Sequence, residues 1–410
     1  MLLVGIDWAD QQHVYCLMDE AGATLSTGTM EHTAEGLEHF MNAVRARSQG
    51  PDDVLVAIET AHGPLVGALL EHGFTVYALN PKAVERTRER FRMSGAKSDL
   101  RDAWTLATML RTDRHLYRPI IPDSETAQEL RALTRDRADL VRTRTMLSNQ
   151  LTTCLKTYFP EFLMLFSDPD RPVALALLQA FPTRERLQAA SQGDLEHFLR
   201  RHRCPHSRER ATAIYQCVQA PGFRIAPPVV RAKARLASTL VAQLQTLATH
   251  IDAYDREIQR VLKLHPDGEL YHSLPGAGDT LAARMVGELG DNRDRYQDPS
   301  IAQCEAGTAP VTRTSANTRT VHFRRACIHP LRDTLWQFAF SSMRHCPWAR
   351  AYYEHARKRG KKHAEAVRML GNVWLRIIIA LRRTSRPNDE KAFLNARSRH
   401  FPRAVAIVCG

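Results

Sequence analysis

Two carboxylates three residues apart, Asp99 and Asp102 in the stretch KSDLRDA, stand at the opening of an expected helix. Residues i and i+3 of a helix share a face, so both side chains can address one positively charged object. Gly95 and Lys97 before the pair, and Ala103, Leu106, Ala107 and Leu110 after it, describe a loop feeding a helix with one buried face. Taken alone, the pair also fits a plainer role, with Asp99 capping the helix and Asp102 suiting its dipole. Two further carboxylates shift the balance, because Asp7 in VGIDWAD and Glu59 in VAIET each close a short apolar run. Four carboxylates in one cleft repel each other at neutral pH, and a divalent cation would neutralise them. Ligation by oxygen alone suits Mg²⁺ or Mn²⁺, held partly by protein and partly by substrate phosphate. Such ions polarise a phosphodiester and stabilise its attacking and leaving oxygens.

The elements needed to bring these groups together can be read in order. Residues 2–8, 13–18 and 23–30 read as a three-strand meander, followed by a helix near 33–47 with Thr33 as N-cap. DVLVAIE, residues 53–59, is a continuous apolar run of the kind found in strands buried on both faces. A helix at 63–72, a strand at 74–79, a helix from Pro81 and the Asp99 helix complete the order βββαβαβα. That is the order of a ribonuclease-H-like nuclease domain, with Asp7 and Glu59 at strand ends, where α/β sheets place ligands. Asp10 falls after its strand in turn-like sequence and is set aside. His62, three residues after Glu59, lacks a metal-binding His motif and is read chiefly as a surface or packing residue.

Further along, Leu130, Leu133, Leu140, Leu147, Leu151 and Tyr158 repeat at 3,4 spacing through the polar breaks Arg137 and Arg144. A second run of the same spacing comprises Leu240, Leu244, Leu247, Ile251, Tyr254, Ile258 and Val261. The two helices can pair with each other as a long hairpin or with those of another copy, and spacing does not choose. Residues 160–230 read as short helices inserted between them. In LPGAGDTLAARMVGELGD the Gly276–Gly278 turn resembles a helix-hairpin-helix, whose backbone amides contact a phosphate. AGTAPVTRTSANTRTVHFRRA, residues 306–326, then joins hydroxyls to Arg313, Arg319, Arg324 and Arg325 with little apolar periodicity, and reads as a loop built as a site. Lys97 is a further candidate phosphate contact. Helices near 328–345, 348–358 and 361–383 close the chain.

Of 410 residues, 44% are hydrophobic and 25% charged, a globular composition too long for one core. No apolar run approaches the roughly 20 residues of a membrane helix. The N-terminus MLLVGIDWAD shows neither a basic segment nor a cleavage site, so the cytoplasm is expected. Eight cysteines without CxxC spacing read as reduced thiols. Residues 1–100 carry 8 Lys+Arg against 14 Asp+Glu, whereas residues 301–410 carry 21 against 6. An acidic front and a basic back point to cations gathered by one part and phosphates by the other.

This assembly of motifs resembles the DEDD-plus-serine transposases of bacterial insertion sequences, the bridge-RNA-guided recombinases. The resemblance rests on Asp7, Glu59, Asp99, Asp102, the PGAG turn and Ser315 in GTAPVTRTSANTR, and spans residues 1–158 and 235–385. It implies an α/β plus all-α chain. A RuvC-like catalytic domain (1–122) would precede coiled-coil helices (123–265), a small, mainly helical C-terminal transposase domain with a nucleophilic serine (266–390), and a tail (391–410). It further implies a structured guide RNA that pairs with donor and target DNA, action at the nucleoid, and a dimer or tetramer in which the carboxylates of one subunit meet the serine of another. Family members often carry Ser or Thr followed by Gly after the nucleophile, whereas Ala316 and Asn317 follow Ser315 here, and Thr314 remains the alternative hydroxyl.

The chemistry is coherent without the resemblance. A serine hydroxyl needs activation and a positive surrounding for the phosphate it attacks. A phosphoserine link keeps the bond energy for rejoining, so no GxxxxGK[ST] motif is required, and none occurs. Two other readings remain: a metal-dependent nuclease or junction resolvase that uses water, with Ser315 incidental, and a non-catalytic nucleic-acid-binding protein. The acidic front argues against the last.

Overall fold

The structure, a computed structural model, describes residues 1–91, 98–315 and 318–389. Lys97 and the tail from residue 391 lie outside the described residues. The chain divides into two units, Met1–Pro122 and the part from Asp123 onward.

In the first unit β1 (Leu2–Asp7), β2 (Gln12–Met18), β3 (Thr24–Glu31), β4 (Val54–Ile58) and β5 (Thr75–Ala78) form one sheet in the order β3-β2-β1-β4-β5. β1 to β3 are antiparallel neighbours, whereas β1, β4 and β5 run parallel. Side chains alternate between the faces of a strand, and here both faces are buried. Leu2, Val4 and Ile6 of β1, with Val54, Val56 and Ile58 of β4, pack with Phe40 and Val44 of α1 (Ala34–Arg45) and Leu65 and Leu69 of α2 (Pro64–Glu71). Leu3, Leu55 and Ala57 point the other way. They pack with Val84 of α3 (Pro81–Phe91) and Ala103, Leu106, Ala107 and Leu110 of α4 (Asp99–Asp113). The Thr33 hydroxyl caps α1 by accepting the Gly36 N–H at 3.1 Å.

The second unit is organised by two long helices, α5 (Glu125–Tyr158) and α11 (Pro227–Leu264). They pair within the chain and run in opposite directions. Leu130 near the start of α5 shares a core with Ile258 and Val261 near the end of α11, while Leu151 and Leu155 share another with Ala237 and Leu240. The polar breaks in the seam are ion-paired. Arg137 holds both Asp255 oxygens, at 2.6 and 2.9 Å, and Arg144 reaches Asp170 at 3.0 Å. Between the long helices come α6 (Phe162–Leu165), α7 (Pro172–Ala180), α8 (Arg184–Gln188), α9 (Gln192–Arg201) and α10 (Ser207–Gln219). They surround the far end of the pair with their own core.

At the other end, α12 (Gly268–His272), α13 (Asp279–Leu289) and α14 (Pro299–Glu305) are followed by β6 (Val311–Ser315) and β7 (Thr318–His322). Then come α15 (His329–His345), α16 (Pro347–Lys358) and α17 (His363–Thr384). Trp374, Phe338, Leu335 and Val286 of these helices join Leu130 and Val261 in one core. The expected loop at 306–326 is corrected in part: residues 311–315 and 318–322 form two antiparallel strands. Among the described residues no helix is long and apolar enough to cross a membrane. Among the described cysteines, Cys16, Cys154, Cys204 and Cys346 are buried.

Candidate active site

The carboxylates of the first unit are positioned by register. Ile6 of β1 stands opposite Ile58 of β4, so Asp7 and Glu59, one residue further on, end neighbouring parallel strands about 4.8 Å apart. Alternation sends both to the side of Leu3, Gly5, Leu55 and Ala57, which is the face that α4 covers. α4 lies on β1 at Gly5, where an added Cβ would stand 1.9 Å from the Ala103 carbonyl oxygen. Asp102 precedes Ala103 and is 4% exposed, while Asp99, at the first helical position after Ser98, is exposed. The opening turn of α4 is thereby laid over the end of β1.

A cation already stands there. Arg88 of α3, one turn beyond the buried Val84, donates from Nη1 to both Asp102 oxygens, at 2.8 and 3.0 Å. The Asp102 hydrogen bond first, and then the charges of Asp102, Glu85 and Glu59, push the Arg88 guanidinium above its ordinary pKa against the opposing effect of burial. Among the described residues no three His, Cys, Asp or Glu side chains come close enough together to hold a metal ion. The donors are of the right kind, all carboxylate oxygen, for a hard divalent cation. Their present arrangement does not form a closed ligand set, since Asp99 faces outward and Arg88 takes Asp102.

In the second unit Ser315 ends β6 and pairs with Thr318 of β7. Paired residues of a ribbon share a face. One face carries Val311, Arg313, Ser315, Thr318, Thr320 and His322, and the other carries Thr312, Thr314, Arg319 and Val321. All but the partly buried Val311 are exposed, so neither face packs on a core. Thr320 Oγ1 and His322 Nε2 are hydrogen-bonded at 3.0 Å. Val311, Arg313, His322, Phe323 and Arg325 line a cavity of about 440 Å³ at the base of the hairpin. Arg332 and Arg368 each lie 4.8 Å from the centre of the Phe323 ring, tying that base to α15 and α17. Arg313, Arg319 and Arg325 are exposed. Arg324 is partly buried and donates from Nε to the Ala309 carbonyl at 3.2 Å, which spends part of its guanidinium on the fold.

The glycine turn before α13 serves packing at its first glycine. Gly276 has φ +83°, and a Cβ there would meet Ser341 and His345 at 2.9 Å; Ser341 Oγ donates to the Gly276 carbonyl at 2.9 Å. Gly278, at the N-cap of α13, has open space around it. The adjacent Asp279 carboxylate is bonded by Gln259 Nε2 and His272 Nε2, each at 2.9 Å, and brings a negative charge to that helix end.

Three features escaped the sequence reading: Arg88, the Phe323 clamp, and the buried His13, whose Nε2 lies 2.8 Å from His32 Nδ1. Only Phe323, an aromatic residue among arginines in HFRR, left a trace in the sequence.

A family model for transposases of the DEDD type in IS110 matches residues 4–160. The model for the transposase IS116/IS110/IS902 family matches residues 268–354. A Streptomyces coelicolor protein assigned as the mini-circle transposase for IS117 is 33% identical, over 90% of this chain and 91% of its own length. The insertion element IS900 42 kDa protein of Mycobacterium paratuberculosis is 28% identical, over 92% of this chain and 95% of that one. The insertion element IS116 44.8 kDa protein of Streptomyces clavuligerus is also 28% identical, over 93% and 95%.

Proposed function

The chain belongs to the IS110 family of insertion-sequence transposases, and from that premise we propose how this DNA transposase cuts and rejoins its substrate. The first unit is a RuvC-like, ribonuclease-H-like catalytic domain whose Asp7, Glu59, Asp99 and Asp102 bind Mg²⁺ or Mn²⁺. When bound, these ions would draw charge from the phosphate under attack and from the departing oxygen. The observation that carries this reading is the register of β1 and β4, which ends both strands in a carboxylate on the face covered by α4.

Ser315 is the nucleophile. Its Oγ gives up its proton and attacks the DNA phosphorus, the bond from phosphorus to one bridging ester oxygen breaks, and the departing strand end takes a proton to become a hydroxyl. A hydroxyl of another strand then attacks the phosphoserine, restores Ser315 and closes the new phosphodiester. Arg313, on the serine's face of the ribbon, is the nearest guanidinium along the strand to hold a non-bridging oxygen. Arg319, Arg325 and the exposed basic residues of α17 take neighbouring phosphates, with Lys97, Gly276 and Gly278 as further backbone contacts. The resemblance adds a structured guide RNA that selects donor and target DNA, and assembly as a dimer or tetramer that brings carboxylates and serine together across subunits.

The deciding experiment traps covalent protein–DNA adducts with the full chain, Mg²⁺ and element-end DNA. Ser315→Ala is expected to abolish the adduct while leaving the fold intact, and Asp7→Asn to abolish both adduct and cleavage. Cleavage that persists in Ser315→Ala would instead assign the chemistry to water. Sequencing of RNA that co-purifies with the chain tests the guide, where one dominant structured RNA is the expected result.

A further inference from the structure

The carboxylate site brings its own counter-cation. Arg88 engages both oxygens of Asp102 at 2.8 and 3.0 Å, and the Asp102 side chain is 6% exposed against 22% for Arg88. Glu59 lies near enough to add to the field that favours the Arg88 charge. The same α3 residue thus touches one of the four carboxylates and is biased by a second, although the two lie more than forty residues apart.

We propose that Arg88 keeps the metal site closed by occupying Asp102, and that a divalent ion gains this carboxylate only when the guanidinium withdraws. This rests on the reading of Asp7, Glu59, Asp99 and Asp102 as a metal site. Arg88 takes a lone pair on each Asp102 oxygen, and its positive charge repels a metal ion at that range, so the two compete for this carboxylate. A buried carboxylate stripped of every cation is costly, so Asp102 exchanges one partner for another and does not stand alone. Apparent metal affinity is then lowered by the fraction of molecules in which Arg88 has moved away. The guanidinium has somewhere to go, because a nucleic-acid phosphate accepts hydrogen bonds from a guanidinium as a carboxylate does. A chain without its substrate would hold little metal, and so would be guarded against cutting DNA at random.

The test is Mn²⁺ binding to the full chain without nucleic acid, followed by electron paramagnetic resonance of the free ion and by the rise in melting temperature that Mn²⁺ causes. Arg88→Met is expected to bind Mn²⁺ about 10- to 100-fold more tightly than the unaltered chain, and adding Asp7→Asn to that variant is expected to remove the gain. Arg88→Lys keeps the charge on a shorter side chain without the guanidinium, and is expected to fall between them; it decides the matter if Arg88→Met does not fold. Equal or weaker binding in the Arg88 variants, with Asp7→Asn still abolishing binding, would overturn the role of Arg88 and leave the metal site standing. Binding in every variant that ignores Asp7→Asn would overturn both.

Discussion

Gly5 of β1 and Ala103 of α4 touch backbone to backbone: a Cβ at Gly5 would lie 1.9 Å from the Ala103 carbonyl oxygen and 2.6 Å from the Ala107 nitrogen. No atom there can yield, because both are main chain inside a helix. This contact fixes how closely α4 rides on β1, and with it how near Asp102 stands to the strand that ends in Asp7. Gly5→Ala is expected to destabilise the first unit by about 3 kcal/mol or to lift α4 off the sheet, read as a lower urea midpoint. Gly67 on α2 is the control. Nothing lies within 4 Å of its would-be Cβ, so Gly67→Ala should be neutral or stabilising by up to about 1 kcal/mol.

The hairpin separates the two hydroxyls that sequence alone left in competition. Thr314 and Ser315 are adjacent and so lie on opposite faces, Thr314 opposite Arg319 and Ser315 one step along from Arg313. If Ser315 is the nucleophile, Thr314→Ala should leave covalent adduct yield within about twofold, since a surface hydroxyl on the far face is usually worth little. Arg313→Ala should lower the rate of adduct formation by about 100- to 1,000-fold, the usual cost of one charge-stabilising donor. Arg319→Ala should act mainly on DNA affinity and its salt dependence. Rates measured with saturating DNA distinguish the two effects.

Legibility in the sequence followed burial. Asp7 and Glu59 could be found because the apolar runs LLVGI and VLVAI mark strands buried on both faces, and a charged residue ends each. The hairpin carries no strand signal, because alternation is visible only when one face is apolar, and nine of its ten strand residues are exposed. The choice between an internal helix pair and a seam between copies lay in which apolar residues share a core, as Leu130 and Val261 do, and not in their spacing. Arg88 left no mark, since its partner is set by how α3 and α4 pack on one sheet face. Gly276 reads as a turn glycine in LPGAG, but the close approach of Ser341 and His345 at its positive φ is set by tertiary packing.

The second unit hangs on a buried arginine. Arg382 near the end of α17 is 3% exposed, donates to the carbonyls of Leu289 at 3.3 Å and Asn292 at 2.9 Å, and lies 5.5 Å from the centre of the Tyr296 ring. It thereby satisfies the C-terminal end of α13, whose last carbonyls lack helical partners. Arg382→Met keeps the stem and removes the donors. The expected cost is about 3 kcal/mol, the penalty for leaving two carbonyls buried and unbonded. Arg383→Met, one residue on and in the last helical turn, should cost well under 1 kcal/mol. Chemical denaturation of the two variants side by side checks the contrast.

His13 gives the first unit a dependence on pH. It is 1% exposed, accepts the Ala9 N–H on Nδ1 at 3.2 Å, and so carries its proton on Nε2, which faces His32 Nδ1 at 2.8 Å. Burial, and then the neighbouring His32, hold its pKa below the ordinary 6.5. A depressed histidine is neutral in the folded chain at pH values where the unfolded chain has already bound a proton. Stability is therefore full above about pH 6.5 and falls as the pH drops toward the folded value, by at most about 1.4 kcal/mol for each pH unit. Protonation would also set a second N–H against that of Ala9, in the turn that follows Asp7. His13→Gln can accept from Ala9 and donate to His32 without gaining charge. Melting temperatures of the two chains are expected to run parallel above pH 7 and to diverge between pH 6.5 and 5, with the unaltered chain losing more. Parallel curves across the whole range would place the acid sensitivity elsewhere.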